Sequence, residues 1–140
     1  MKRILIAEDN AVNRELLREL LEARGYTVEE ACNGQEALAM IAQSKPDALL
    51  LDLNMPVLDG FATVRKIRED PALASLPVLA VTAYAMRGDR EKTLEAGFDE
   101  YLSKPISSAV LDAELERIWN KRKIESANPK SLTQAASNET

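Results

Sequence analysis

The chain is 140 residues long, enough for one domain with a sizeable core, and is 46% apolar and 29% charged. Its net charge of −5, from 23 acidic and 18 basic residues, comes with no long basic cluster, which argues against direct nucleic-acid binding. No apolar run reaches the length of a membrane span, no signal-peptide core opens the chain, and the single Cys32 cannot form an internal disulfide. These features predict a cytoplasmic protein with no membrane contact. Histidine is absent, so His-dependent triads and any phosphohistidine on this chain are excluded.

In chain order, Ile4–Ala7 reads as a short buried strand. Glu8-Asp9-Asn10 follows it, and Leu16, Leu17, Leu20 and Leu21 then form a helical stripe. Asn10 is the expected N-cap, with Asn13 at the capping-box position and Gly25 as the closing residue. Tyr26 to Ala31 alternates as a strand near an edge, and Asn33-Gly34 opens a second helix carrying Ala37, Leu38 and Ile41. Pro46 then leads into Ala48-Leu49-Leu50-Leu51, an unbroken apolar run left through Met55-Pro56 and Asp59-Gly60 turn signals. Such a run suits a central strand covered on both faces, and at its end stands Asp52.

Gly60 to Asp70 is a third helix, with Phe61, Val64 and Ile67 on one face. Val78 to Ala83 is another apolar strand, ending at the hydroxyl of Thr82. Arg87 to Ala96 predicts a fourth helix with Leu94 as nearly its only large apolar anchor, hence one held loosely. Gly97 to Leu102 predicts a fifth strand, followed by Ser103-Lys104-Pro105, and a last helix from about Ser107 to Lys121. From Arg122 to Thr140 the chain is polar and reads as a flexible tail, so residues 1–121 form the expected domain.

Five strands alternating with five helices predict an α/β fold: a doubly wound, five-stranded parallel sheet of order 2-1-3-4-5, flavodoxin-like. Ligands bind such sheets at the carboxyl ends of the strands, near the switch point between the first and third. Glu8 and Asp9 would face Asp52 there. Three crowded carboxylates repel, so one has its pKa raised unless a cation intervenes. An oxygen-only site of this kind suits magnesium. The Thr82 hydroxyl and Lys104 ammonium arrive from neighbouring strands, completing the parts that phosphoryl transfer requires.

Glu8-Asp9, Asp52 within Leu-Asp-Leu-Asn-Met-Pro, Asp59-Gly60, Thr82-Ala83 and Lys104-Pro105 occur in order on the right elements. On these motifs, residues 2 to 121 resemble the receiver domain of two-component response regulators, the CheY-like superfamily. The Glu8-Asp9-Asn10 run with Asn13 is similar to receivers of hybrid kinases and to single-domain regulators of the DivK-like type.

The resemblance implies that Asp52 accepts a phosphoryl group from a phosphohistidine on a histidine kinase or histidine phosphotransfer protein. It implies Mg²⁺ (or Mn²⁺) held by Asp9, Asp52 and the backbone carbonyl of Asn54, with Glu8 acting through water. Lys104 and Thr82 would contact phosphoryl oxygens, with Ala83 beside Thr82, and Tyr101 matches the switch aromatic. Asn54 and Tyr84 stand where the family tunes acyl-phosphate lifetime, and Lys104-Pro105 would be a cis peptide. Output would pass by protein contact to an unknown partner, at the face formed by residues 87–121.

Each residue also has a plainer reading. Glu8 and Asp9 complement a helix dipole, Thr82 is an ordinary strand-end hydroxyl, Lys104 a surface lysine and Tyr101 simple packing. Trp119 reads as packing on the last helix, and Cys32 as a small residue near a helix start. Two other functions fit an α/β sheet. A haloacid-dehalogenase-type phosphatase needs an acid two residues after its nucleophile, where this chain has Asn54. A flavodoxin-type flavin module needs a hydroxyl-rich phosphate loop after the first strand, where Glu8-Asp9 would repel phosphate.

Overall fold

The computed structural model describes residues 2–83 and 87–127. Five strands, β1 (Arg3–Ala7), β2 (Thr27–Ala31), β3 (Ala48–Asp52), β4 (Val78–Thr82) and β5 (Glu100–Ser103), alternate with five helices. These are α1 (Ala11–Glu22), α2 (Gly34–Gln43), α3 (Gly60–Glu69), α4 (Asp89–Ala96) and α5 (Ser108–Ala127), with a 3₁₀ turn at Pro71–Leu73. Every strand pair is parallel and the order is β2-β1-β3-β4-β5. The expected doubly wound sheet is the observed one.

The described residues divide into two compact units, one ending at Pro105 and the other beginning at Ile106. In the first, β3 and β4 are buried along their whole length, as their unbroken apolar sequences require. Leu5, Ala7, Leu49, Leu51, Val78 and Ala80 share one sheet face, where they meet Ala37 and Ile41 of α2 and Val64 and Ile67 of α3. Ile4, Ile6, Leu50, Leu79 and Val81 alternate to the other face and are equally buried.

The register places the functional ends together. Ala7 pairs with Ala31 and Leu51, Asp52 with Val81, and Thr82 with Ser103. Glu8, Asp52, Thr82 and Lys104 therefore leave the sheet along one edge.

Three boundaries differ from expectation by more than one residue, and β5 is one of them: it starts at Glu100 rather than Gly97, because Gly97 is spent closing α4. α4 begins at Asp89 because Gly88 takes a left-handed φ of 85°, and Gly97 at φ 119° closes the helix. In the second unit, α5 is capped by the Ser107 hydroxyl, which accepts from Val110 N–H at 3.1 Å, and buries Leu111, Leu115 and Ile118 as one stripe. It runs to Ala127 rather than ending at Lys121. Residues 121–127 are mostly competent helix formers. The expected tail from 128 onward, and the expected tuning residue Tyr84, lie outside the described residues.

Candidate functional site

The site is built from the carboxyl ends of β1, β3, β4 and β5. Asp52 ends β3 and is only 5% exposed. Its Oδ1 accepts the Asn54 backbone N–H at 2.9 Å, and its Oδ2 accepts Lys104 Nζ at 3.1 Å. That local bond turns the chain back on itself directly after the strand, so Asn54 is exposed beside a recessed carboxylate. Asn54 Nδ2 reaches Thr82 Oγ1 at 3.4 Å, a long contact that links the ends of β3 and β4. Thr82 is buried and Ala83 beside it is exposed.

Glu8 is 1% exposed. Its Oε1 pairs with Lys104 and its Oε2 accepts the Asn10 N–H at 3.1 Å. The helix cap is therefore organised differently from the capping box read in the sequence. Asn10 Oδ1 does cap Asn13 N–H at 3.0 Å, but Asn10's own N–H is taken by Glu8 rather than by the Asn13 side chain. Asp9 is exposed. One carboxylate oxygen from each of Glu8, Asp9 and Asp52 lies within 4.8 Å of the others.

Burial, and then the hydrogen-bonded Asp52 carboxyl, push the Glu8 carboxyl up to about 7 despite its ion pair with Lys104. For Lys104, burial works to lower the ammonium's pKa, but the bonds to Glu8 and Asp52 outweigh it and raise the pKa. One ammonium thus serves two buried carboxylates, and the carboxylate excess is settled by protonating Glu8 or by a cation. The donor set is oxygen only, with one carboxylate open to solvent, which fits a hard divalent ion such as Mg²⁺.

The loop between β3 and α3 is held by close contacts. A Cβ added at Gly60 would lie 2.7 Å from the Asp52 carbonyl oxygen and 2.8 Å from Leu53 Cα, so only glycine lets α3 start against the end of β3. Within this loop Val57 has φ 70° and is 73% exposed. A β-branched residue in the left-handed region is an outlier that carries backbone strain.

Tyr101 is half-buried on β5 and packs against the core cluster, and Lys104-Pro105 is cis, as expected. Sequence reasoning missed Arg14 and Glu100. Arg14 on α1 donates to the Glu8 carbonyl at 2.8 Å, and buried Glu100 on β5 pairs with Arg90 of α4 at 2.6 Å. Apart from Arg14 standing four residues past the cap, no local pattern distinguishes these from ordinary surface charges.

Residues 4–116 match the family described as the response regulator receiver domain. The polar-differentiation response regulator DivK of Brucella anthropi is 42% identical over 106 residues, covering 76% of this chain and 86% of that protein. Among solved structures, the receiver domain of the Pseudomonas aeruginosa sensor histidine kinase PA1611, with magnesium in its active-site cleft, is 39% identical. It superposes with a TM-score of 0.77 over 83% of this chain and 95% of that one. Vibrio cholerae chemotaxis protein CheY4 is 30% identical with a TM-score of 0.78, over 84% and 98% of the two chains. Register, carboxylate cluster and these likenesses agree: the chain belongs to the response regulator receiver domain family and is a module of two-component phosphorelay signalling.

Proposed function

We propose that this receiver accepts a phosphoryl group on Asp52, from a phosphohistidine carried by a histidine kinase or a histidine phosphotransfer protein. The observation that carries the reading is Asp52 itself, a nearly buried carboxylate bonded to Lys104 at the open end of a central strand. An Asp52 carboxylate oxygen forms the new O–P bond, the P–N bond to the donor imidazole breaks, and the imidazole keeps the bonding pair. Asp9, Asp52 and the Asn54 carbonyl are the assigned metal ligands, with Glu8 acting through water because Lys104 and Asn10 occupy its oxygens. Mg²⁺ or Mn²⁺ supplies charge neutralisation at the transferring group.

Lys104 pairs with the phosphoryl oxygens as it now pairs with Asp52, and Thr82 donates its hydroxyl to another. Tyr101 follows Thr82 as the switch residue, with Ala83 yielding room, while Asn54 and Tyr84 set how long the acyl phosphate lasts. No turnover is assigned beyond phosphoryl uptake and slow self-hydrolysis. The donor meets Val12 and Leu16 on α1 and Val57 in the loop after β3, exposed apolar side chains that flank the acidic cluster in sequence. Residues 1–121 carry the activity and 122–140 are a polar extension. Output passes by protein contact at residues 87–121, in the cytoplasm, consistent with a single free Cys32.

Intact mass after incubation with acetyl phosphate and Mg²⁺, beside Asp52→Asn, tests this. The expected result is one added phosphoryl group that requires Mg²⁺ and is absent in the variant. No gain under conditions that label another receiver overturns the reading. Val12→Asp should slow transfer from the protein donor and leave acetyl phosphate labelling unchanged.

A further inference from the structure

Arg14 lies one turn into α1, beside the acidic pair rather than among its ligands. Its Nη1 donates to the Glu8 carbonyl at 2.8 Å and more weakly to the Asp9 carbonyl at 3.4 Å. Its Nε donates to Glu30 Oε1 at 3.1 Å. Glu30 stands next to the end of β2, and its other oxygen pairs with Arg18, one turn further along α1. The Glu8 N–H also donates to the Ala31 carbonyl of β2 at 3.0 Å. The peptide units of Glu8 and Asp9 are thus held twice against β2, directly through an N–H and indirectly through a guanidinium.

The consequence falls on Asp9. Its side chain is exposed, so packing does not orient it, and its carboxylate goes where its backbone sends it. A small divalent cation demands near-octahedral oxygen ligands at short distances and tolerates little displacement. Groups that orient a ligand without touching the ion typically carry ten- to a hundred-fold in affinity.

We propose that Arg14, braced by Glu30, is a positioning residue that sets the divalent-cation affinity of the Glu8-Asp9-Asp52 cluster by fixing the backbone of the acidic pair. The inference rests on the metal reading of that cluster given above. A purely structural role would be to tie α1 to β2. Arg18 does the same through the same Glu30 but bonds neither carbonyl of the acidic pair, which makes it the control.

The test is titration of the full chain with Mn²⁺ alone, followed by electron paramagnetic resonance, for wild type, Arg14→Ala, Arg14→Lys, Glu30→Gln and Arg18→Ala. Arg14→Ala should bind Mn²⁺ about ten-fold more weakly, with part of the loss recovered in Arg14→Lys and a smaller loss in Glu30→Gln. Arg18→Ala should bind as wild type while lowering the metal-free melting temperature about as much as Arg14→Ala does. If Arg14→Ala does not fold, the ranking of Glu30→Gln against Arg18→Ala decides by the same criterion. Equal Mn²⁺ affinity in wild type and Arg14→Ala, or an equal loss in Arg18→Ala, overturns the inference. Wild type that binds no Mn²⁺ overturns the metal reading as well, so the two failures are separable.

Discussion

Helices α3 and α4 follow neighbouring strands and leave the same edge of the sheet, yet they are built in opposite ways. α3 buries Gly60, Thr63, Val64 and Ile67, and its first turn is closed by the Asp59 carboxylate accepting Ala62 N–H at 2.8 Å. Lys66 and Arg68 in its last turn suit the helix dipole. α4 buries only Thr93, whose hydroxyl has no hydrogen-bond partner among the described residues, and Gly88 offers its N-terminus no side-chain cap. Its tethers are polar: Arg90 to Glu100 at one end, and Arg68 Nε to the Gly97 carbonyl at 2.8 Å at the other. The helix behind Asp52 is fixed by packing, and the helix behind Thr82 depends largely on polar tethers. For the phosphoacceptor reading proposed above, that division would hold Asp52 still and leave α4 free to shift.

The contrast can be broken most severely by cavities. Ile67→Ala, at a fully buried site, should cost about 2–5 kcal/mol, whereas Leu94→Ala, at a half-buried one, should cost less than about 1 kcal/mol. Urea unfolding measures both, and equal losses would erase the distinction. Next comes Gly60→Ala, whose Cβ would press on the Asp52 carbonyl. It should cost about 1–3 kcal/mol and slow acetyl phosphate labelling, seen by denaturation and intact mass. Normal labelling in that variant would mean that Asp52, the proposed acceptor, tolerates a displaced strand end.

Arg90→Ala sharpens the other side. Glu100 is nearly buried but Arg90 is half exposed, so the global cost should be only about 1 kcal/mol. Hydrogen exchange should nevertheless quicken in α4 and stay unchanged in α3; acceleration in both would show that the two helices open together.

The pH response of the metal-free protein probes the site itself rather than the helices. Glu8 titrates near 7 in the fold against an ordinary value near 4.5, so the folded chain holds this proton more tightly than the unfolded one. The stability Glu8 contributes is full below about pH 4.5 and is lost as pH rises to about 7. Glu8→Gln cannot titrate, so its melting temperature relative to wild type should climb across that window and level off above it. A flat difference would show that Lys104 neutralises Glu8 completely.

Much of this was legible in the sequence because the governing signals are local. Ala48 to Leu51, short and bounded by turn signals, suited a central strand, and the sparse pattern around Leu94 announced the weak anchoring of α4. The carboxylates, Thr82 and Lys104 were found through strand ends, since a parallel sheet aligns them once its order is known. Arg14, Arg68 and Glu100 were not legible in this way. Arg68 joins α3 to the carbonyls of Leu73, Leu76 and Gly97 and to Asp99, partners with no fixed spacing from it. A lone charge reads as solvated surface until the fold brings its partner to it. The Glu8 bond to Asn10 was hidden for another reason, since the same cap sequence also suits a bond from Asn13.

Val57 carries a consequence of a different sort. It occupies a left-handed backbone position that glycine would fill without strain, and it presents most of its apolar surface to water. Neither its conformation nor its exposure helps the chain fold. The loop that follows Asp52 therefore carries a cost in conformation and in solvation that the fold itself does not return.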